Sequence, residues 1–349
     1  MARVGAAPAW SAITVAPTLV ACCAAGAMIA ALLAAVVRRT AGPPLVIAGA
    51  SATVLAWAPL APRGDAGVVE LHVLDVGQGD ALALRTPRGR WLLVDAGPGP
   101  PIAPDAGRRT IIPYVRRRGG EVATLVLTHP DLDHVGGAPT LLAALEPDAL
   151  VEPGFLATSG AYEGLLDSAL AHGVAWRPSR RGLSLDLDGV RVRVLAPDSA
   201  WLAAQRDPNE ASTILRIEYG AMAMLLVGDA EREQEAWLLA NATADELRAD
   251  VLKVGHHGSR TSSTAAFLDA VRPRVALVSV GRGNRYGHPA PSVLAALAAR
   301  GAAVFRTDVA GTLVLRTNGR SLELVTATGT WSPESSSRSA PAGAVSSPP

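Results

Sequence analysis

Two histidines and two carboxylates fall within the six-residue run His129-Pro130-Asp131-Leu132-Asp133-His134, directly after an apolar stretch and directly before a Gly136-Gly137 pair. A polar turn that merely caps a helix needs one aspartate and no histidine. Imidazoles and carboxylates at this density can instead supply both halves of a two-metal centre. Three other sites repeat the pattern of an apolar run ending in a ligand-type residue. They are Asp95-Ala96-Gly97, Gly228-Asp229 and Lys253-Val254-Gly255-His256-His257-Gly258-Ser259. His129, His134, His256 and His257 are four of the seven histidines. Of the others, His72 sits mid-segment as a packing residue and His172 is expected at the surface. His288, in the turn Asn284-Arg285-Tyr286-Gly287-His288-Pro289, is a candidate for contacting substrate. Lys253 is the only lysine in a chain whose other cations are arginines, which singles it out beside a histidine pair.

The elements that must position these groups read as strands interleaved with helices. Alternating apolar runs at 69–76, 81–86 and 91–95 predict strands joined by polar turns. A helix near 109–118, a continuous apolar strand at 122–128 and helical periodicity over 135–145 follow. Residues 147–189 carry no clear pattern. Strands are predicted again at 190–195, 213–219 and 223–227, then a helix at 232–239. The last block alternates strand 251–254, helix 264–271, strand 275–280 and helix 292–300, and ends in strands at 303–305, 312–315 and 322–325. Strand-rich hairpins interleaved with helices imply two packed sheets with helices outside, and the strand ends are where such architectures place ligands.

The chain has 349 residues, 49% of them apolar and 18% charged, with a formal net charge of +1. Disordered and fibrous classes are excluded, and no global basic field recruits a polyanion. The two cysteines, Cys22 and Cys23, are adjacent and form neither a disulfide framework nor a thiolate site. Residues 5–37 carry no charge, Arg38 and Arg39 follow, and residues 40–62 are again uncharged. Each run reaches the roughly 20 residues a membrane span requires, so residues 1–63 are expected to form two transmembrane helices. The arginine pair between them would lie in the cytoplasm, which places the remainder outside the cell membrane. The hydrolytic domain is expected over 64–331, and 332–349, rich in Ser, Pro, Ala and Gly, as a disordered tail.

The runs LHVLDVGQGDALAL, VDAGP, LTHPDLDHVGG, NEASTILRIEYG, LLVGDAE, LKVGHHGSRTSS and NRYGHPAPSVL resemble the metallo-β-lactamase superfamily. More closely, they resemble the C-terminal domain of the ComEC family of DNA-internalisation competence proteins. The resemblance covers residues 69–325. It implies an α/β fold, an αββα four-layer sandwich with two divalent metal ions at one edge of the sheets. Carried over by motif, Asp95 matches the first superfamily motif, and His129, Asp131, Asp133 and His134 match the second. Asp229 matches the bridging carboxylate. His256 or His257 matches the late histidine ligand, with His256 preferred because it lies closer to the strand end. Asp80, in the first of the quoted runs, is assigned with Asp95 to the active-site loops.

Two departures from the superfamily pattern bear on the metal. Asp131 stands where the second motif usually has its middle histidine, and Asn209-Glu210-Ala211-Ser212 lacks the third-motif histidine. A site richer in oxygen donors shifts from Zn²⁺ toward Mn²⁺. The resemblance implies a membrane-anchored phosphodiesterase acting on single-stranded DNA. Asp133 would ligate or orient, and Lys253 and His288 would neutralise the phosphate or protonate the leaving oxygen. Two helices make no channel, so a separately encoded channel subunit is an expected partner. The alternatives are a hydrolase of a cell-envelope phosphoester or other ester on the same scaffold, and a non-catalytic binding subunit. The ligand set argues against the second of these. The lack of a basic stripe, with aromatics at only 4%, keeps the first open.

Overall fold

The computed structural model describes residues 19–38, 42–57, 67–155 and 160–333. Helices Leu19–Arg38 and Gly42–Trp57 pack on each other and form one compact unit. Residues 64–116 and 120–349 fall in the other.

The expected pair of transmembrane helices is not borne out. Among the described residues, no helix is long and apolar enough to cross a membrane. The second helix has 16 residues and a length of about 24 Å at 1.5 Å per residue, against about 30 Å of hydrocarbon. In the first, side chains are described only for 22–37. Arg39, the 64–67 linker up to residue 66, and the tail beyond residue 333 lie outside the described residues.

The second unit holds two mixed sheets. The strands are β1 (Val69–Val73), β2 (Leu82–Arg85), β3 (Trp91–Val94), β4 (Val122–Val126), β5 (Ala149–Glu152), β6 (Ala175–Pro178), β7 (Ser184–Leu187) and β8 (Val190–Ala196). They continue with β9 (Ile214–Tyr219), β10 (Met222–Leu226), β11 (Val251–Lys253), β12 (Val275–Val278), β13 (Ala303–Arg306), β14 (Leu313–Thr317), β15 (Leu322–Thr326) and β16 (Gly329–Trp331). The nine-stranded sheet has the order β16-β15-β14-β1-β2-β3-β4-β5-β6, and the seven-stranded sheet β13-β12-β11-β10-β9-β8-β7. Each sheet has an antiparallel part and a parallel part. In the first, β3, β4, β5 and β6 run parallel, and in the second β10, β11, β12 and β13 do.

Period-two alternation explains the layering. In β3, Leu92 and Val94 face the apolar space between the sheets, while Trp91 and Leu93 face helices on the outer side. In β10, Met222, Met224 and Leu226 point inward and Ala223 and Leu225 outward. Helices Arg232–Asn241, Ala265–Val271 and Pro291–Ala298 cover the second sheet through Leu238, Phe267, Leu268, Val293 and Leu297. Ile111, Val115, Leu141, Leu142 and Leu165 cover the first. The layers are therefore helix, sheet, sheet, helix, with three apolar clusters between them. Because the site-bearing strands are parallel within each sheet, their carboxyl ends meet at one edge. Asp95 follows β3, His129 follows β4, Asp229 follows β10 and His257 follows β11.

Several elements differ from the sequence expectation. The unpatterned stretch contains β5, β6 and β7, each of four residues, and helix Gly160–Ala171. The helix expected over 135–145 is two pieces, Leu132–Val135 and Ala138–Leu145, broken at the glycine pair. Those glycines allow close backbone approach: a Cβ on Gly136 would collide with the Gly99 backbone, and one on Gly137 with the carbonyl of Ala96.

Candidate metal centre

The loop after β3 opens the site. Asp95 sits in left-handed backbone (φ 61°), an uncommon conformation for a non-glycine residue and a form of strain that clusters at functional positions. Its carboxylate accepts hydrogen bonds from the Thr128 amide (2.7 Å) and the Thr128 hydroxyl (2.8 Å). It also lies 2.8 Å from His134 Nδ1. Asp95 therefore fixes the ring of His134 and turns Nε2 into the site, as the outer carboxylate of a carboxylate–histidine–metal arrangement does. Thr128 does the same for its neighbour, its hydroxyl lying 3.0 Å from His129 Nδ1.

The second sheet contributes Asp229 and His257. Ser212 Oγ accepts from the Asp229 amide at 3.2 Å. Asp229 Oδ2 stands 3.3 Å from His134 Nε2, 3.4 Å from His257 Nε2 and 3.8 Å from His256 Nε2. His257 Nδ1 is 2.9 Å from the Ser279 carbonyl, just past β12, and its Nε2 lies 3.3 Å from Asp133 Oδ2. Four three-ligand groups overlap here: His129, His134 and Asp229; Asp133, His134 and His257; Asp80, Asp95 and His134; and Asp80, Asp229 and His257.

The residues fit a pair of divalent cations on two grounds. Nε2 of His129, His134 and His257 and Oδ1 of Asp229 are buried without a hydrogen-bond partner, an expensive arrangement unless another group completes them. The cluster also demands positive charge. Burial alone would raise the Asp229 carboxyl, yet His134, His257 and Lys253 hold it well below the usual carboxylate range. Conversely, burial opposes the charge on His257, but Asp229 and Asp80 push it up to about 10. His129 goes the other way, lowered to about 3 by burial and by the neighbouring His134, and stays neutral with its lone pair free.

Burial and contacts separate the candidates within the cluster. His257, with a side chain 2% exposed, is the histidine in the cluster. The preferred His256 is 25% exposed, and its Nδ1 lies 2.6 Å from Glu231. Both residues occupy left-handed backbone (φ 44° and 51°), so successive side chains diverge instead of alternating as in a strand. Asp131 stays outside every three-ligand group. It is 43% exposed, 3.8 Å from His129 Nε2, and its carboxyl is raised to about 6 by burial and neighbouring carboxylates. Lys253 points inward from β11, fully buried, paired with Asp80, and donates to the Gly228 carbonyl at 3.0 Å. The segment without a third-motif histidine is held by hydrogen bonds. Glu210 accepts from the amides of Glu233 (3.1 Å) and Gln234 (2.7 Å), and Ser212 braces Asp229.

Asp80 joins this interior. Its amide donates to the Asp133 carbonyl at 3.2 Å, and its carbonyl accepts from Gly97 at 2.7 Å, tying the first loop to the second and third. Gly79 must be glycine, because a Cβ there would strike the Asp133 carbonyl. His288 lies at the rim, its ring 5.6 Å from that of His256 and stacked on Tyr286 at 5.8 Å. Sequence reading missed Thr128, Ser279, Ser212 and Glu231. Only Thr128, adjacent to His129, carried a local signal.

The family model of the metallo-beta-lactamase superfamily matches residues 74–282. Among characterised relatives, ComE operon protein 3 of Bacillus subtilis is 34% identical over 264 residues, covering 72% of this chain and 33% of the relative. Recombination protein 2 of Haemophilus influenzae is 33% identical over 246 residues, covering 69% and 28%. Competence protein ComA of Neisseria gonorrhoeae is 32% identical over 253 residues, covering 72% and 32%. The chain thus spans about one third of the length of these relatives. With strand-end ligands from two mixed sheets meeting at one edge, and this match over most of the globular unit, the chain belongs to the metallo-beta-lactamase superfamily and is related within it to the ComEC competence proteins.

Proposed function

We propose that the chain is a metal-dependent phosphodiesterase acting on single-stranded DNA. The observation that carries this reading is the set of buried, unpartnered imidazole nitrogens gathered around Asp229. His129, His134, Asp133, His257 and Asp229 would hold two divalent cations, Mn²⁺ or Zn²⁺. Such ions supply a nucleophilic water at neutral pH and offset charge on a phosphoryl oxygen. The chain's own residues do the positioning. Asp95, Thr128 and the Ser279 carbonyl hold three rings in register, and the Lys253–Asp80 pair holds the floor.

The rim suits a nucleic-acid substrate. Arg285 lies 5.2 Å over the Tyr286 ring, and Tyr286 is stacked on His288. An arginine and an exposed aromatic face beside the centre match the needs of a phosphate and a base. The relatives, among them a competence protein and a recombination protein, favour DNA over an envelope phosphoester.

The test is hydrolysis of bis-p-nitrophenyl phosphate and of a single-stranded oligonucleotide, with Mn²⁺, Zn²⁺ or EDTA. Cleavage of both, abolished by EDTA and by Asp229→Asn, is expected. Hydrolysis of the small diester without cleavage of DNA would move the substrate to another phosphoester. No hydrolysis of either under any metal would reject the enzyme.

A further inference from the structure

A pocket of ≈ 470 Å³, lined among others by Gly154, Phe155, Arg180, Leu202, Gln205 and Arg206, plays no part in the hydrolysis described above. Two of its lining residues are arginines. Arg181 pairs with Glu246, Arg216 with Glu218 and Arg306 with Asp308. Arg180, by contrast, donates only to the carbonyls of Pro153 (2.6 Å) and Ser179 (2.9 Å), and exposed Arg206 has no carboxylate at ion-pair distance among the described residues. Two arginines without an ion pair among the described residues therefore line one cavity, and the half-buried Phe155 adds an aromatic ring to its wall.

The pocket is coupled to the metal centre through the backbone. The Thr213 amide donates to the Thr128 carbonyl at 2.8 Å, and the Thr213 hydroxyl lies 2.6 Å from that of Ser179. Arg180 is the next residue. On the other wall, Asp207 follows Arg206 and is among the carboxylates whose charge acts on Asp131. The imidazoles themselves form a row. His129 neighbours His134, His134 neighbours His257, and His257 neighbours His256, which neighbours His288, with ring separations of 4.1 to 6.0 Å. Arg285 and Tyr286 lie beyond the His288 end, and at the other end the Thr213 contacts lead from Thr128, next to His129, to Ser179 and so to Arg180 of the pocket.

We infer that this pocket is a second strand-binding site, taking a phosphate between Arg180 and Arg206 and a base against Phe155. A single-stranded nucleic acid would then cross the metal centre between two arginine–aromatic platforms. The inference rests on the nucleic-acid reading of the centre and adds where the strand is held. Stacking on an aromatic ring is indifferent to base identity, and phosphate contacts give salt dependence, so the site binds without sequence preference.

The experiment measures binding of a fluorescein-labelled dT12 oligonucleotide to the full chain by anisotropy, in EDTA so that no cleavage occurs. Arg206→Ala and Phe155→Ala are each expected to weaken binding about tenfold with unchanged melting temperature. Arg206→Ala should also reduce the salt dependence by about 0.7 in the log–log slope, the value for one phosphate on a single strand. Binding equal to the wild type in both variants would overturn the proposal. So would equal displacement by inorganic phosphate at matched ionic strength, which would make the pocket a site for free phosphate. Because the readout is binding, loss of hydrolysis in the separate diester assay would reject the enzyme reading and leave this result standing.

Discussion

The inner cluster and its rim use the same residue types and differ in what stands behind each side chain. Behind His134 is a buried carboxylate, and behind His257 a main-chain carbonyl at the end of β12. Behind His256 is Glu231, a half-buried side chain on a loop, and Asp131 has no side-chain hydrogen bond to the helix it precedes. Buried backing groups at strand ends hold a ligand in one orientation before any ion arrives, whereas a half-buried loop side chain holds it less firmly. The contrast is sharpest at the adjacent pair His256 and His257. Chemistry and sequence position are nearly identical there, and burial decides the role.

The largest expected effect separates those two neighbours. His257→Ala should lower metal content by about one ion per chain and abolish diester hydrolysis, because His257 belongs to two of the three-ligand groups. His256→Ala should keep the metal content and most of the activity. Metal analysis on both variants decides between them. A loss confined to His256→Ala would reverse the assignment and restore the preference drawn from proximity to the strand end.

Much of the inner cluster was legible because each member follows an apolar strand. Asp95, His129, His134 and Asp229 all lie just beyond a run whose alternation announces β3, β4 or β10, and the parallel pairing brings those ends together. The choice between His256 and His257 was not legible, since it depends on two consecutive left-handed residues that no propensity signals. Nor was the role of Lys253. Its rarity drew attention to it, but its partner Asp80 lies far away in sequence, and only the packing of β11 against the first loop joins them. The strands β5, β6 and β7 escaped notice because four residues are too few to establish a period, and β6 is exposed throughout.

Next in size is the support beneath the cluster. Lys253→Met removes the cation from a fully buried pair and leaves Asp80 in the interior with His257, at 3.3 Å, as its remaining ion-pair partner among the described residues. Breaking one side of such a pair costs about 3 kcal/mol, since the remaining charge loses its partner. Urea denaturation should register that loss, and the double variant Asp80→Asn/Lys253→Met should recover part of it. Unchanged stability in Lys253→Met would mean that the pair is not holding the floor, and would return the lysine to a role in substrate contact.

The smallest effect is expected at Asp131, where the sequence departs most visibly from the superfamily pattern. If this residue filled the place of the missing histidine, its removal would cost an ion and the activity with it. The geometry argues otherwise. Its carboxylate is partly in solvent, joins no three-ligand group, and stands 3.8 Å from the nearest imidazole nitrogen. Asp131→Asn removes one charge at the rim, keeps the shape, and breaks no cap. Solvent-exposed substitutions of this kind change stability by about 0.5 kcal/mol or less. Metal content should therefore stay at the wild-type value, with diester hydrolysis changed by no more than about threefold, equivalent to some 0.6 kcal/mol of barrier. Loss of one ion from this variant would bring Asp131 into the inner cluster and dissolve the boundary between cluster and rim on the His129 side.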